Sequence, residues 1–297
     1  MLIAETLYLT AHSLLGIFSI LLENMNEVTQ LFSLENKVIV VTGATGVLGE
    51  SFVKGITDMG GKVALLGRNE SVGKQREQDL QKEGKDAMFI KADVLSKEDL
   101  LRAKEIILSA WNRIDGLVNA AGGNLPEAVI APDKDIFDIN IDGLKKAFDL
   151  NLFGTILPVS IFGKALEGSG GSIVNISSMA AQSAITRVLG YSMAKAAIDN
   201  YTRWLCVETA NRYGSKIRVN AIAPGFFITH QNRRLLTNED GSFTSRGEAV
   251  IRNTPFKRFG EPEELIGALV WLLSDASTFV SGEVICIDGG FHIFSGV

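Results

Sequence analysis

Tyr191 and Lys195 stand four residues apart at the opening of a helical pattern, Tyr191-Ser192-Met193-Ala194-Lys195. On a helix that spacing puts both side chains on one face, so the phenol and the ammonium can point into the same space. An ordinary tyrosine titrates near pH 10 and is a poor proton donor at neutral pH. A nearby cation favours the phenolate and is expected to lower that pKa toward the range where a general acid or base works well. Ser178 lies thirteen residues before Tyr191, just beyond the apolar run Ser172-Ile173-Val174-Asn175-Ile176. There its hydroxyl is placed to hydrogen-bond a substrate carbonyl. A Tyr-x-x-x-Lys spacing alone is commonplace on helices, and its weight comes from the elements around it.

Those elements alternate. Lys37–Thr42 is short, apolar and β-branched, as a fully buried strand is. It runs into Gly43-Ala44-Thr45-Gly46-Val47-Leu48-Gly49 and then a helical stretch ending near Gly60-Gly61. Further strands are expected at 63–66, 87–90, 114–118, 172–176, 216–221 and 283–287, with helices over 97–111, 142–167, 191 onward and 262–274. Buried strands alternating with helices imply a parallel sheet covered on both faces. The expected fold is therefore α/β, a single Rossmann-type doubly wound sheet of about seven strands, with a substrate lid at about 226–258 after the sixth strand. Ligands on such a sheet bind outside the carboxyl ends of the strands. The glycine turn, Arg68, Asp93, Asn119, Ser178 and Pro224-Gly225 all fall at those ends. A glycine-rich strand-to-helix turn lets backbone approach a pyrophosphate, and the helix N-terminus favours its charge; Gly43 and Gly49 suit that task.

Composition narrows the field. The 297 residues are 46% hydrophobic and 21% charged, enough for a sizeable core, and the net charge of −5 comes without a basic stripe. Nucleic acid is accordingly not an expected partner. Cys206 and Cys286 are the two cysteines, with no histidine cluster beside them, so neither a disulfide framework nor a metal site is expected and a reducing cytoplasm fits. Residues 1–24 differ in character from the rest of the chain: Thr6–Leu22 carries no acidic or basic residue apart from the neutral His12. The stretch lacks the positive leader of a signal peptide and is too short and too polar for a spanning helix. It reads as a dispensable extension with Met25 as the natural start, weak anchoring at a membrane surface being the other reading.

Together the motifs resemble the short-chain dehydrogenase/reductase family over residues 31–297. Thr42-Gly43 to Gly49 is similar to the family's cofactor turn, Asn119-Ala120-Ala121-Gly122 to its strand cap, and Asn151-Leu152-Phe153-Gly154 to the segment of its structural asparagine. Ser178, Tyr191 and Lys195 fall at its catalytic spacing, and Pro224 to Thr229 resembles the segment that holds the nicotinamide. Two departures stand out: the middle glycine is displaced to Gly46, with Val47 after it, and Ala120 replaces a second asparagine. The resemblance implies hydride transfer at a carbinol carbon, with Tyr191 moving the proton and Ser178 steadying the oxyanion. Lys195 would bind the ribose and Asn151 a relay water. The implied cofactor contacts are Gly43, Thr45, Val47, Leu48, Gly49, Arg68, Asp93, Val94, Asn119, Ala120, Gly122, Tyr191, Lys195, Pro224, Gly225, Phe227 and Thr229. Gly67 where an acid would stand, followed by Arg68, points to NADP, with NAD possible. Within the family the likeness is to enzymes of sugar-acid oxidation, the D-mannonate oxidoreductases (fructuronate reductases). The expected substrate contacts are Asn124, Ser178, Arg187, Gln231, Asn232 and Arg233. Other readings are a gluconate 5-dehydrogenase or polyol dehydrogenase and, more distantly, a non-catalytic dinucleotide-binding protein. A homo-oligomer, tetrameric by family resemblance, is implied as well.

Overall fold

The computed structural model describes residues 27–229 and 232–296. The expectations for residues 1–24 and for Gln231 fall outside them. The apolar runs form seven strands: β1 Val38–Thr42, β2 Lys62–Gly67, β3 Ala87–Lys91, β4 Gly116–Asn119, β5 Gly171–Ile176, β6 Ile217–Pro224 and β7 Val284–Ile287. They make one parallel sheet in the order β3-β2-β1-β4-β5-β6-β7. The main helices are α1 Val47–Asp58, α2 Glu70–Lys82, α3 Lys97–Trp111, α4 Ile141–Phe148, α5 Gly154–Ser169 and α6 Leu189–Tyr213, then α7 Arg233–Leu236, α8 Ser245–Asn253 and α9 Ile266–Leu273. The chain is a Rossmann-type α/β fold, as its alternating pattern requires.

Strand side chains alternate between faces, and β1 supplies both core layers. Ile39 and Val41 join the cluster under α1 and α9, whereas Val38 and Val40 join the one under α3 and α5. The sheet order reverses between β1 and β4, with Thr42 paired to Leu66 on one side and to Asn119 on the other. That reversal opens a crevice at the carboxyl ends of both strands, where ligands of such sheets bind.

Two elements differ from their sequence pattern. The helix expected over 142–167 is two helices, α4 and α5, joined by a π-helical turn at Asp149–Phe153. The helix expected over 262–274 opens as a 3-10 turn, Pro262–Leu265, before α9 begins. The segment after β6 folds as α7 and α8 over a small core of its own, Leu236, Val250 and Phe259. Phe243 packs edge-on against Phe259 within that core, and Phe226 meets Phe291 of the C-terminal segment. Among the described residues no helix is long and apolar enough to cross a membrane, and no acidic, histidine or cysteine cluster could hold a metal ion.

Candidate active site

The turn from β1 to α1 depends on two glycines. Gly43 has φ +65°, and a Cβ there would lie 2.7 Å from the Ala120 carbonyl oxygen; a Cβ on Gly49 would lie 2.3 Å from the Gly43 oxygen. Gly46, the displaced glycine, sits in ordinary extended backbone as the N-cap of α1, where no side chain caps the helix. Its amide end therefore opens on the adjoining cavity with Gly46, Val47, Leu48 and Gly49 in the wall. Such an end suits a diphosphate, so the residues present fit a dinucleotide. Arg76 of α2 braces the turn: its guanidinium donates to the Ala44 carbonyl and, at 3.0 Å, to that of Gly46, and it pairs with Glu50 at 2.5 Å. Nothing in the local sequence marked Arg76 for this work, because α2 meets the turn only in the fold.

The end of β4 is fixed from two sides. Thr42 Oγ1 accepts the backbone amides of Ala120 and Ala121, both at 3.2 Å. Asn151, fully buried in the π-helical turn, accepts from the Gly123 amide and donates to the Gly123 and Ala147 carbonyls, each at 2.9 Å. Its side-chain amide therefore holds the Gly122-Gly123 backbone in place. A π-helical turn at a functional position is a recurrent device, since the extra residue re-aims a side chain. Asn119 points inward, donating to Asn175 at 2.9 Å, which donates to Thr202 at 2.9 Å. It belongs to an internal polar chain behind the cavity.

Ser178 closes β5 and starts a short 3-10 turn, its hydroxyl accepting the Ala180 amide at 3.1 Å. Tyr191 and Lys195 lie in the first turns of α6, with the ammonium 5.6 Å from the phenol ring centroid. Lys195 is 4% exposed and donates to the Ile176 carbonyl at 2.6 Å. Burial brings its pKa down to about 8, opposed by the charge of Asp199 one turn along. Burial also raises the Tyr191 pKa, with a hydrogen bond to the Ser178 hydroxyl working the other way. The expected lowering is thus reversed: desolvation of the phenolate outweighs the hydrogen bond to Ser178. Tyr191 is held as a neutral phenol, the form that can protonate a substrate oxygen.

A cavity of about 420 Å³ joins these parts. Of the expected cofactor contacts its wall holds Gly43, Val47, Leu48, Gly49, Ala120, Gly122, Tyr191, Lys195, Pro224, Gly225, Phe227 and Thr229. Ser178, Asn124 and Asn232 line it as well. The Asn124 Oδ1 atom is buried there without a hydrogen-bond partner. Asn232 is committed to its own loop, accepting from the Thr229 amide at 2.7 Å and donating to the Phe227 carbonyl at 2.8 Å.

Thr45, Arg68, Asp93, Val94 and Asn119 lie outside that wall. Arg68 is exposed, 3.9 Å from Asp93. Val94 is buried against Gly154. Arg187 and Arg233 are also off the wall and exposed. For Arg233 the cause is α7, whose buried residue, Leu236, faces the lid core and leaves the arginine in solvent. Arg246 of α8 lines the cavity instead, together with Ile185, Val188 and Leu235. The lid sequence carries no periodic signal that would have singled it out.

A parallel sheet in this order, a glycine turn at its crevice and a Ser-Tyr-Lys group facing one cavity define a nicotinamide-dependent oxidoreductase. The chain belongs to the short-chain dehydrogenase/reductase family: a family model described as enoyl-(acyl carrier protein) reductase matches residues 43–292. It is similar to the uncharacterized oxidoreductase UxuB of Bacillus subtilis (strain 168), 42% identical over 275 residues, covering 89% of this chain and 98% of that one. Among solved structures it is similar to a Haemophilus influenzae protein provisionally described as a D-mannonate oxidoreductase, with bound NAD. The two share 38% identity and a TM-score of 0.83, over 91% of this chain and all of that one, 100%. A gluconate 5-dehydrogenase from Burkholderia cenocepacia J2315, in complex with NADP and tartrate, is 27% identical with a TM-score of 0.79, over 89% of this chain and 98% of that one.

Proposed function

We propose that this enzyme interconverts a sugar acid and its keto form, with D-mannonate and D-fructuronate as the preferred pair. The observation that carries the reading is the meeting of Ser178, Tyr191 and Lys195 on one cavity that extends to the glycine turn. A bound nicotinamide supplies the acceptor or donor of the hydride. In oxidation the carbinol carbon gives up its hydride while its hydroxyl proton passes to Tyr191; in reduction the phenol returns that proton. Ser178 donates to the substrate oxygen as charge develops on it. The Lys195 ammonium, charged below about pH 8, stabilises the phenolate that oxidation requires. Asn124, with an unpartnered buried oxygen in the wall, is suited to accept a substrate hydroxyl.

Support for a sugar acid comes from the likeness to the protein described as a D-mannonate oxidoreductase and to the gluconate 5-dehydrogenase that holds tartrate. The latter favours gluconate as the second reading. Arg68 beside Gly67 favours NADP over NAD. Cytoplasmic work with free Cys206 and Cys286, and assembly as a tetramer, belong to the same reading. The test is kcat/KM with either cofactor for D-mannonate, D-gluconate, a neutral hexitol and an acyl thioester. D-mannonate should lead; preference for the hexitol or the thioester would overturn the sugar-acid reading.

A further inference from the structure

We propose that Arg246, with Arg187 beside it, forms the subsite that grips the substrate carboxylate and so restricts the cavity to anionic substrates. The inference rests on the sugar-acid reading above. Arg246 is half-buried in the cavity wall, and its guanidinium donates to Thr186 Oγ1 and to the Thr186 carbonyl, both at 3.3 Å. Those are long bonds to neutral acceptors. Among the described residues no carboxylate lies within ion-pairing reach of Arg246 or Arg187. By contrast Arg76, Arg102, Arg113, Arg212 and Arg258 each pair with an aspartate or glutamate.

The neighbouring charge makes the site stranger as a purely structural feature. Burial lowers the Arg246 pKa, and the cation of nearby Arg187 lowers it further. Arg187 takes φ 75°, a left-handed conformation costly for a non-glycine residue, and its carbonyl accepts the Ile130 amide at 2.9 Å. Arg246 in the cavity wall and exposed Arg187 just outside it are two cations without an anionic partner among the described residues, and an anion between them would relieve their repulsion. A guanidinium fork matches a carboxylate's two oxygens. The position also fits the chemistry, because Thr186 and Arg187 belong to the segment that leads directly into Tyr191. A carboxylate held there leaves a short hydroxylated chain to reach from the lid to the catalytic phenol.

The test compares D-mannonate with its uncharged amide, D-mannonamide, in wild type, Arg246→Gln and Arg246→Lys, with melting temperatures and cofactor affinity measured for each. Arg246→Gln should lower kcat/KM for the acid about 10- to 100-fold, mainly through KM, and change that for the amide by less than about threefold. Arg246→Lys should recover part of the loss and serves as the working variant if the glutamine form does not fold. Equal losses on acid and amide would overturn the subsite and make Arg246 a support of the lid, as would an acid preference that survives both variants. A wild type that oxidises neutral substrates and no sugar acid would instead defeat the functional reading, and the subsite with it.

Discussion

Lys195 is a cation kept where a cation is disfavoured, 4% exposed and bonded to the Ile176 carbonyl, with the charge of Asp199 working against the effect of burial. Its pKa of about 8 lies below the ordinary lysine value, so the folded protein loses this charge while a free lysine would keep it. If the ammonium binds cofactor, affinity should be highest below pH 8 and fall as the pH rises through that value. Cofactor titrations on either side of pH 8 check this, and a flat dissociation constant would contradict it. Arg68 makes a second residue-scale prediction. It is exposed and only loosely paired with Asp93, at 3.9 Å, so it can turn toward a 2′-phosphate. The ratio of kcat/KM for NADP over NAD should favour NADP in wild type and lose most of that preference in Arg68→Ala, mainly through KM. An unchanged ratio would remove Arg68 from cofactor selection. The meeting of Ser178, Tyr191 and Lys195 on one cavity was legible because the tyrosine–lysine spacing is local to a helix turn and the serine stands just beyond the preceding strand. Arg233 and Arg246 were not, because which arginine of the lid meets the cavity depends on how α7 and α8 pack.

The strand-to-helix junctions position these residues. β1 ends in a turn that only glycine at Gly43 and Gly49 allows, and β4 ends in a cap pinned by Thr42 and Asn151. Asn151 satisfies both backbone groups of Gly123, whose neighbour Gly122 lies against Lys195. Asn151→Ala leaves those groups unpaired, and each buried polar group so orphaned costs about 1–3 kcal/mol. The expected outcome is a loss of stability of that order together with reduced turnover, read by chemical denaturation and steady-state kinetics. An unchanged denaturation midpoint would show that the clamp contributes nothing. The strands were readable from their β-branched runs, and the glycine turn from its place between strand and helix. The π-helical turn was not: residues 142–167 carry an apolar helical pattern throughout, and the extra residue answers a demand from β4 that is far away in sequence. Asn119, expected to touch the cofactor, lies outside the cavity wall for the same reason, its amide donating inward to Asn175, which donates to Thr202.

Across the whole molecule the cavity is assembled from four distant parts of the chain: the β1 turn, the end of β4, the segment from Ile176 to Lys195, and the lid after β6. The sheet makes this possible, because parallel strands deliver all their carboxyl ends to one side, and the reversal between β1 and β4 leaves a crevice there. The fold and the gathering of the motifs at one end of the sheet could therefore be read together, since those motifs occupy the strand ends that the alternation predicts. The substrate end could not, because it rests on lid packing that has no period of its own. On the reading proposed above, this cavity carries out proton-coupled hydride transfer through Tyr191. Its most direct test is the turnover of Tyr191→Phe with D-mannonate, followed by nicotinamide absorbance and accompanied by cofactor binding. The variant should retain cofactor affinity and lose about 10²–10⁴-fold in kcat; turnover close to that of wild type would contradict the mechanism.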